Sequence, residues 1–120
     1  MDIKEFITGA KREMLLHRYD LIPTIGERRV ALIMGEGAAK YGDHNWESGI
    51  PMSVMLNHLA AHLNAYRAGC CNEDHLGKVA VNALMACEIE EKIRTGDLPL
   101  TLGDIPGQFV VEHIEKGLVK

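Results

Sequence analysis

The chain has 120 residues, of which 17 are acidic and 13 basic, giving a net charge of −4. This length predicts a single domain. The acidity argues against binding to a nucleic-acid backbone, which needs a basic surface. The sequence does not start with basic residues followed by an apolar stretch, so we expect no signal peptide. No apolar run reaches the roughly 20 residues of a membrane helix. The adjacent Cys70 and Cys71 favour reduced thiols, so we expect a cytoplasmic protein with neither membrane nor nucleic-acid partners.

The first 17 residues carry apolar side chains at helical spacing. Asp2 is a suitable N-cap, and Glu5 follows three residues later in the capping-box position. Gly9 costs this pattern about 1 kcal/mol relative to alanine. We therefore expect a peripheral helix over residues 1–17.

The next segment contains a helix and a polar loop. Residues 18–23 are expected to be extended because a proline ends the segment. A helix should follow from about Ile25 to Tyr41, where glycine stops it. The loop over residues 43–51 contains Trp46, the only tryptophan of the chain. This side chain either packs onto the body or offers a stacking surface to a flat ligand.

The centre of the chain, from Pro51 to Glu91, predicts two helices joined by a short turn. The first has an apolar stripe and ends at Gly69. The second starts in the acidic turn at residues 72–74 and is the longest of the chain. Its small side chains permit close packing against another helix. One of its faces is expected to be an apolar arc of Leu76, Ala80, Ala83 and Cys87.

The tail, residues 100–120, has a short helical pattern from about Gln108 to Lys116. We expect a second peripheral helix there, packed on a neighbouring subunit. No strand alternation is recognisable anywhere in the sequence. The chain is therefore predicted to be one all-α domain over residues 1–120.

Histidines and carboxylates converge on the central helical pair. His58 and His62 are one helical turn apart and should point toward apolar surroundings. Glu73, Asp74 and His75 follow in the turn. Imidazole with carboxylate suits Mn²⁺, Zn²⁺ or iron, whereas carboxylates with water suit Mg²⁺. Since H-x-x-x-H without the glutamate of H-E-x-x-H is not a specific signature, these residues either hold a metal or are hydrogen-bonded histidines of a cleft.

Two further polar residues share a helix face with His75. Lys78 and Asn82 lie at spacings of three and four along this face. A lysine on an inward face is costly unless it is paired or faces a cleft. Lys78 therefore either pairs with an acid such as Asp74 or lines an anion pocket, where it would bind phosphate and Asn82 a base edge.

Short motifs between residues 18 and 91 occur in a familiar order. They are Arg18-Tyr-Asp-Leu-Ile-Pro23, Gly37-Ala-Ala-Lys-Tyr-Gly-Asp-His-Asn-Trp46, Gly49-Ile-Pro51, Ala61-His-Leu63 and Asp74-His-Leu76 with Asn82. Over this range the chain resembles the N-terminal domain of phage and bacterial dATP/dGTP diphosphohydrolases. That family is similar to the all-α MazG-like nucleotide pyrophosphatases.

The resemblance implies an oligomeric, MazG-like bundle of about four helices with a purine nucleotide ligand. It also implies Mg²⁺- or Mn²⁺-dependent cleavage of a (d)NTP to the monophosphate and pyrophosphate, in a host cytoplasm if a phage encodes the chain. The residues expected to hold the nucleotide are Lys40, Tyr41, Asn45, Trp46, Lys78 and Asn82. The expected catalytic residues are His62, Asp74 and His75, and the expected metal ligands are His58, His62, Glu73, Asp74 and His75.

The chain also departs from the family pattern. Its turn at residues 70–74 is poorer in acids, and a lysine stands at position 78 where the family often has a second histidine. MazG-like enzymes use E-x-x-E and E-x-x-D helices, and neither pattern is clear here, because Glu88–Glu91 has the E-x-x-E spacing but predicts a solvated helix end. These departures keep two alternatives open: a non-catalytic protein that sequesters a nucleotide, and a helical interaction module without a small ligand.

Overall fold

Three α-helices account for most of the chain that the structure, a computed structural model, describes, which is residues 2–106. The helices are α1 (Thr24–Tyr41), α2 (Met52–Arg67) and α3 (His75–Arg94). Two strands precede them, and three short 3-10 helices lie at Tyr19–Leu21, Asn45–Ser48 and Leu100–Leu102. The predicted all-α class is therefore confirmed coarsely, with a small sheet added and with three rather than about four α-helices among residues 2–106. The helix predicted from about Gln108 to Lys116 lies outside the described residues.

The N-terminal helix prediction was wrong, because residues 2–14 form an antiparallel hairpin. Strand β1 (Ile3–Glu5) pairs with strand β2 (Lys11–Glu13), with Ile3 opposite Glu13. Gly9 has a φ of +87°, a left-handed conformation that glycine adopts readily and that a helix does not contain. Both strands are exposed along their length, so no core surface is present to stabilise an isolated amphipathic helix there.

The segment before α1 also differs from the prediction. It contains the 3-10 helix Tyr19–Leu21 instead of a fully extended strand. Arg18 pairs with Asp20 at 2.7 Å across this turn. A local ion pair within one turn favours a compact conformation over an extended one.

The core lies between α2 and α3. Met52 and Met55 of α2 pack against Ala86, Ile89 and Ile93 of α3. Partly buried side chains cover this cluster; they are Trp46, Ile50, Met85, Leu98, Leu102 and Ile105. The described part of the tail, residues 100–106, thus packs on its own domain, and contact of the tail with a neighbouring subunit stays a prediction. Its Asp104 also caps α2, because its carboxylate accepts hydrogen bonds from the Ser53 N–H at 2.8 Å and from the Ser53 hydroxyl at 2.5 Å.

The apolar arc predicted for α3 faces outward. Leu76, Ala80, Ala83 and Cys87 are exposed, whereas the arc that contains His75, Asn82 and Ile89 is buried. The burial of the second arc agrees with the sequence-based expectation that the face of His75, Lys78 and Asn82 is inward. Burial of the arc with the polar side chains brings His75 and Asn82 into the interior.

Helix α1 packs on α3 and makes almost no contact with α2. Gly77 in the first turn of α3 allows this approach, because a Cβ there would lie 2.6 Å from the Cδ1 atom of Ile33. Since α1 and α2 both rest on α3 but diverge from each other, a cleft opens between them. No helix in residues 2–106 combines the length and the hydropathy that a membrane crossing requires.

Candidate functional site

The cleft between α1 and α2 has a volume of about 1050 Å³, enough for a ligand of nucleotide size. The C-terminal half of α1, the 3-10 helix at Asn45–Ser48, α2 and the start of α3 all contribute to its walls. Nine of the residues predicted for the site line it: Lys40, Tyr41, Asn45, Trp46, His58, His62, Glu73, Lys78 and Asn82. Residues from the loop, from α2 and from α3 thus meet at one surface, as the sequence predicted for a nucleotide site.

Two imidazoles and a carboxylate meet beside the cleft: His62 and Glu73 line it, and His75 is buried next to them. The Nδ1 atoms of His62 and His75 are 3.0 Å apart. The Glu73 Oε1 atom lies 3.8 Å from the first and 4.0 Å from the second. Within residues 2–106, these three side chains form the group whose potential metal-ligand atoms are close enough to share a metal ion. We call these three residues the donor triad.

The helical hairpin positions the triad. His62 lies in the third turn of α2, and His75 is the first residue of α3, so the short connection between the helices brings the two rings together. Glu73 lies on that connection, two residues before α3 begins. The rings have centroids 5.2 Å apart and are tilted by 41°.

Asn72 orients the buried histidine of the triad. The His75 ring is 8% exposed, and its Nε2 atom lies 2.9 Å from the Asn72 Oδ1 atom. Because this oxygen can only accept, Nε2 carries the proton and the His75 Nδ1 atom presents a lone pair. The His62 Nδ1–H then donates to that lone pair. A hydrogen bond that fixes the outer nitrogen is the usual support of a metal-binding imidazole. Asn72 was not predicted from the sequence, where its only signal is its position three residues before His75.

The charge of the triad suits cation binding. Burial lowers the pKa of His62, so its ring is neutral at pH 7, and its Nδ1 atom can act as a ligand once the proton moves from Nδ1 to Nε2. A hydrogen bond from Lys78 lowers the pKa of Glu73, so that carboxylate is ionised. The Lys78 ammonium lies 2.5 Å from the Glu73 Oε1 atom. Lys78 is therefore paired with an acid, as one of the two alternatives expected, but its partner is Glu73 and not Asp74.

Asp74 points away from the triad, toward α1. Arg29 donates to both of its oxygens, from Nε at 3.0 Å and from Nη2 at 2.5 Å. Its Oδ1 atom also accepts the Gly77 N–H at 2.9 Å, which makes Asp74 the N-cap of α3. These hydrogen bonds lower the pKa of Asp74 to about 2. The structure thus places this predicted ligand and catalytic group outside the cleft, in the contact between α1 and α3.

His58 also lies apart from the triad. It is exposed on the wall of the cleft, one turn before His62, and does not point into the apolar surroundings that the sequence predicted. Asn82 is 9% exposed, and its side-chain amide donates to the Lys78 backbone carbonyl at 2.8 Å. Among the predicted nucleotide contacts, Trp46 packs against the core, which was one of the two alternatives expected, and it also lines the cleft.

The cleft contains more acidic side chains than were predicted from the sequence. Glu36, Asp43 and Glu47 line it in addition to Glu73, whereas Lys40 and Lys78 are its lysines. Glu47 pairs with His44, whose backbone has a φ of +59°, a strained conformation for a residue other than glycine. With four carboxylates against two lysines, the walls have an excess of negative charge.

The fold and the site define a helical domain with a cleft of polar and apolar side chains and a triad of metal-type donors. Comparison with protein families makes this specific: the family described as dATP/dGTP diphosphohydrolase, N-terminal, matches residues 7–97. The chain belongs to this family, which confirms the resemblance and supports a nucleotide-hydrolase role with a nucleotide substrate. Neither the curated proteins nor the solved structures contain a significant match.

Proposed function

We propose that this protein hydrolyses purine (deoxy)nucleoside triphosphates to the monophosphate and pyrophosphate, with Mg²⁺ or Mn²⁺ as the cofactor. Family membership supports the reaction class. The observation that carries the proposal is that one cleft is lined both by Lys40 and Trp46, at the end of α1 and just after it, and by His62 and Glu73 of the triad.

The triad fits a divalent ion. The three donor atoms form a triangle with sides of 3.0, 3.8 and 4.0 Å. A point equidistant from all three lies about 2.1 Å from each, which is the usual bond length of a transition ion to imidazole nitrogen and carboxylate oxygen. Two nitrogens and one oxygen favour Mn²⁺ over Mg²⁺, because Mg²⁺ prefers oxygen ligands. His62, Glu73 and His75 are the residues that would hold the ion.

The charges of the cleft support a metal requirement. A triphosphate that enters walls with more carboxylates than lysines is repelled unless a cation accompanies it. A divalent ion at the triad would neutralise phosphate charge, polarise the α–β phosphate linkage and activate water. Lys40 would then bind phosphate, while Asn45 and Trp46 would hold the base by hydrogen bonding and stacking.

We also propose that the protein assembles as a homo-oligomer in the cytoplasm. Large apolar side chains are exposed on the hairpin, on α1 and on α3, among them Ile7, Leu32 and Leu84. Exposed apolar side chains in such number are typical of surfaces that associate. Sedimentation or light scattering of the full chain would give the subunit number.

Incubation of the protein with dATP or dGTP and Mn²⁺ tests the function. Release of pyrophosphate and monophosphate is expected, and His62→Ala should abolish it because the triad loses a ligand. A melting shift with nucleotide but no product would instead indicate a nucleotide-sequestering protein. The absence of both would contradict any nucleotide function and favour an interaction module.

A further inference from the structure

One carboxylate oxygen in the cleft lies within 4 Å of three nitrogen atoms. The Glu73 Oε1 atom is 2.5 Å from the Lys78 ammonium and also faces both Nδ1 atoms of the triad, His62 at 3.8 Å and His75 at 4.0 Å. In this state the lysine, and not the imidazoles, compensates the charge of Glu73. The atom that a metal ion needs is therefore already paired with a cation of the protein.

Metal binding and this ion pair compete for the same atom. An ion bound at about 2.1 Å from Oε1 and an ammonium at 2.5 Å from it would be within about 5 Å of each other. Like charges at that separation repel strongly, and a carboxylate oxygen engaged by a divalent ion has less charge to offer a second cation. The lysine is thus expected to leave Glu73 when the ion binds.

The Lys78 side chain has room to move away from Glu73 within the cleft. Lys78 lies in the first turn of α3 and lines the cleft, and its side chain is 31% exposed. Its flexible four-carbon stem lets the ammonium move without displacement of the helix. The pair of Glu73 and Lys78 is neutral before the exchange, whereas the carboxylate, a divalent ion and a free ammonium together carry a net charge of +2. That change converts this corner of the cleft from neutral to phosphate-attracting.

We propose that Lys78 is a resident counter-cation of Glu73 which a divalent ion displaces, and that the displaced ammonium becomes a phosphate contact in the cleft. The proposal rests on the metal site of the proposed function and deepens it. It makes metal binding the step that creates the anion site. The sequence predicts Lys78 as a phosphate ligand, whereas the structure pairs it with Glu73. Under this proposal Lys78 has both roles in succession, first as the partner of Glu73 and then as a phosphate contact.

Reductive methylation of the full chain with and without Mn²⁺ tests the exchange directly. Mass spectrometry of peptides should show that Mn²⁺ raises labelling of Lys78 several-fold, since its ammonium is no longer held by Glu73. Lys40 lines the same cleft without a contact to Glu73, and its labelling should not change. In His62→Ala, Mn²⁺ should have no effect on either lysine.

Mn²⁺ affinity, measured by calorimetry without nucleotide, supplies the second readout. Lys78→Met removes the competing cation and should raise the affinity roughly 2- to 5-fold, which is the upper part of the range typical of a partly exposed ion pair. Lys40→Met controls for the loss of a positive charge elsewhere in the cleft and should raise it less than twofold.

The outcomes separate the two proposals. Mn²⁺ binding with unchanged Lys78 labelling, or with equal affinity in both methionine variants, would overturn the exchange and leave the metal site standing. Failure of the wild-type chain to bind Mn²⁺ at millimolar concentration would overturn the metal site and the exchange together. Increased Lys78 labelling that His62→Ala abolishes would support both.

Discussion

Glu73 and Asp74 are adjacent carboxylates at the start of α3, but they serve opposite sides of the molecule. Glu73 faces α2 and the two imidazoles of the triad. Asp74 faces α1, where Arg29 and the Gly77 N–H occupy its oxygens. The cleft side of this turn is therefore held by exchangeable contacts, and the α1 side by a fixed cap and ion pair.

The comparison shows that proximity in sequence does not decide which acid is available. The hydrogen bonds that lower the pKa of Asp74 to about 2 also occupy three of its roughly four lone-pair sites, so it has little capacity left for a cation. Glu73 gives one oxygen to a lysine that can move away. A fixed neighbour at Asp74 keeps the start of α3 in place, which in turn keeps Glu73 and His75 beside His62.

The sharpest test of this comparison exchanges each carboxylate for its amide. Glu73→Gln should lower Mn²⁺ affinity and pyrophosphate release by roughly 100-fold or more, because the triad loses its charged ligand. Calorimetry and a pyrophosphate assay measure the two quantities. Asp74→Asn is the matched control and should keep Mn²⁺ affinity within a few-fold. Equal losses in the two variants would show that the carboxylates act as one site.

The next largest effect is expected at the contact between α1 and α3. Gly77→Ala places a methyl group against Ile33 and the Asp74 carboxylate, and should lower the free energy of unfolding by about 1–3 kcal/mol. Gly35→Ala is the control, since no atom lies within 4 Å of a Cβ at that helical position. There the added methyl group should raise stability by up to about 1 kcal/mol. Urea unfolding measures both, and a neutral Gly77→Ala would mean that α1 can shift freely on α3.

A smaller effect is expected when the cap of α3 is removed. Asp74→Ala loses the hydrogen bond to the Gly77 N–H as well as the pair with Arg29, and should cost about 1 kcal/mol of stability. Asp74→Asn should cost less, because asparagine caps helices about as well as aspartate. Chemical denaturation of the two variants separates the cap from the charge. If both lose the same stability, the ion pair and not the cap anchors the helix.

Local sequence signals predicted much of this fold. Proline and glycine placed the ends of α1 and α2 within a few residues, and helical spacing correctly predicted that His58 and His62 lie on one face. The hairpin at residues 2–14 was missed because a helical pattern stabilises a helix only when a surface receives it. The inward position of the α3 face with His75 and Asn82 was expected from the sequence and is confirmed by their burial.

The site was predictable only in part, since some of its contacts join distant residues. The meeting of His62 with His75 follows from a short connection between two helices, so the sequence could predict it. Arg29 lies 45 residues before Asp74, and no local pattern links them. Without that partner, Asp74 looked as available to a metal as Glu73. The roles of the nine cleft-lining residues remain predictions that the experiments above address.

The smallest expected effect is the pH dependence of the Asp74 anchor. The pKa of Asp74 is lowered from 3.8 to about 2 on folding, so this group contributes stability that is fully present above pH 4 and is lost as the pH falls toward 2. Because the side chain is 35% exposed, solvent screening should reduce the contribution to about 1 kcal/mol or less. Urea unfolding of the wild type and of Asp74→Asn between pH 6 and pH 2 isolates it from the other carboxylates. The stability difference between the two proteins should be constant down to about pH 4 and then shrink, and added salt should reduce it at pH 6. A difference that stays constant down to pH 2 would mean that the Asp74 charge does not stabilise the contact between α1 and α3, and the asymmetry between the two carboxylates would then rest on the cap alone.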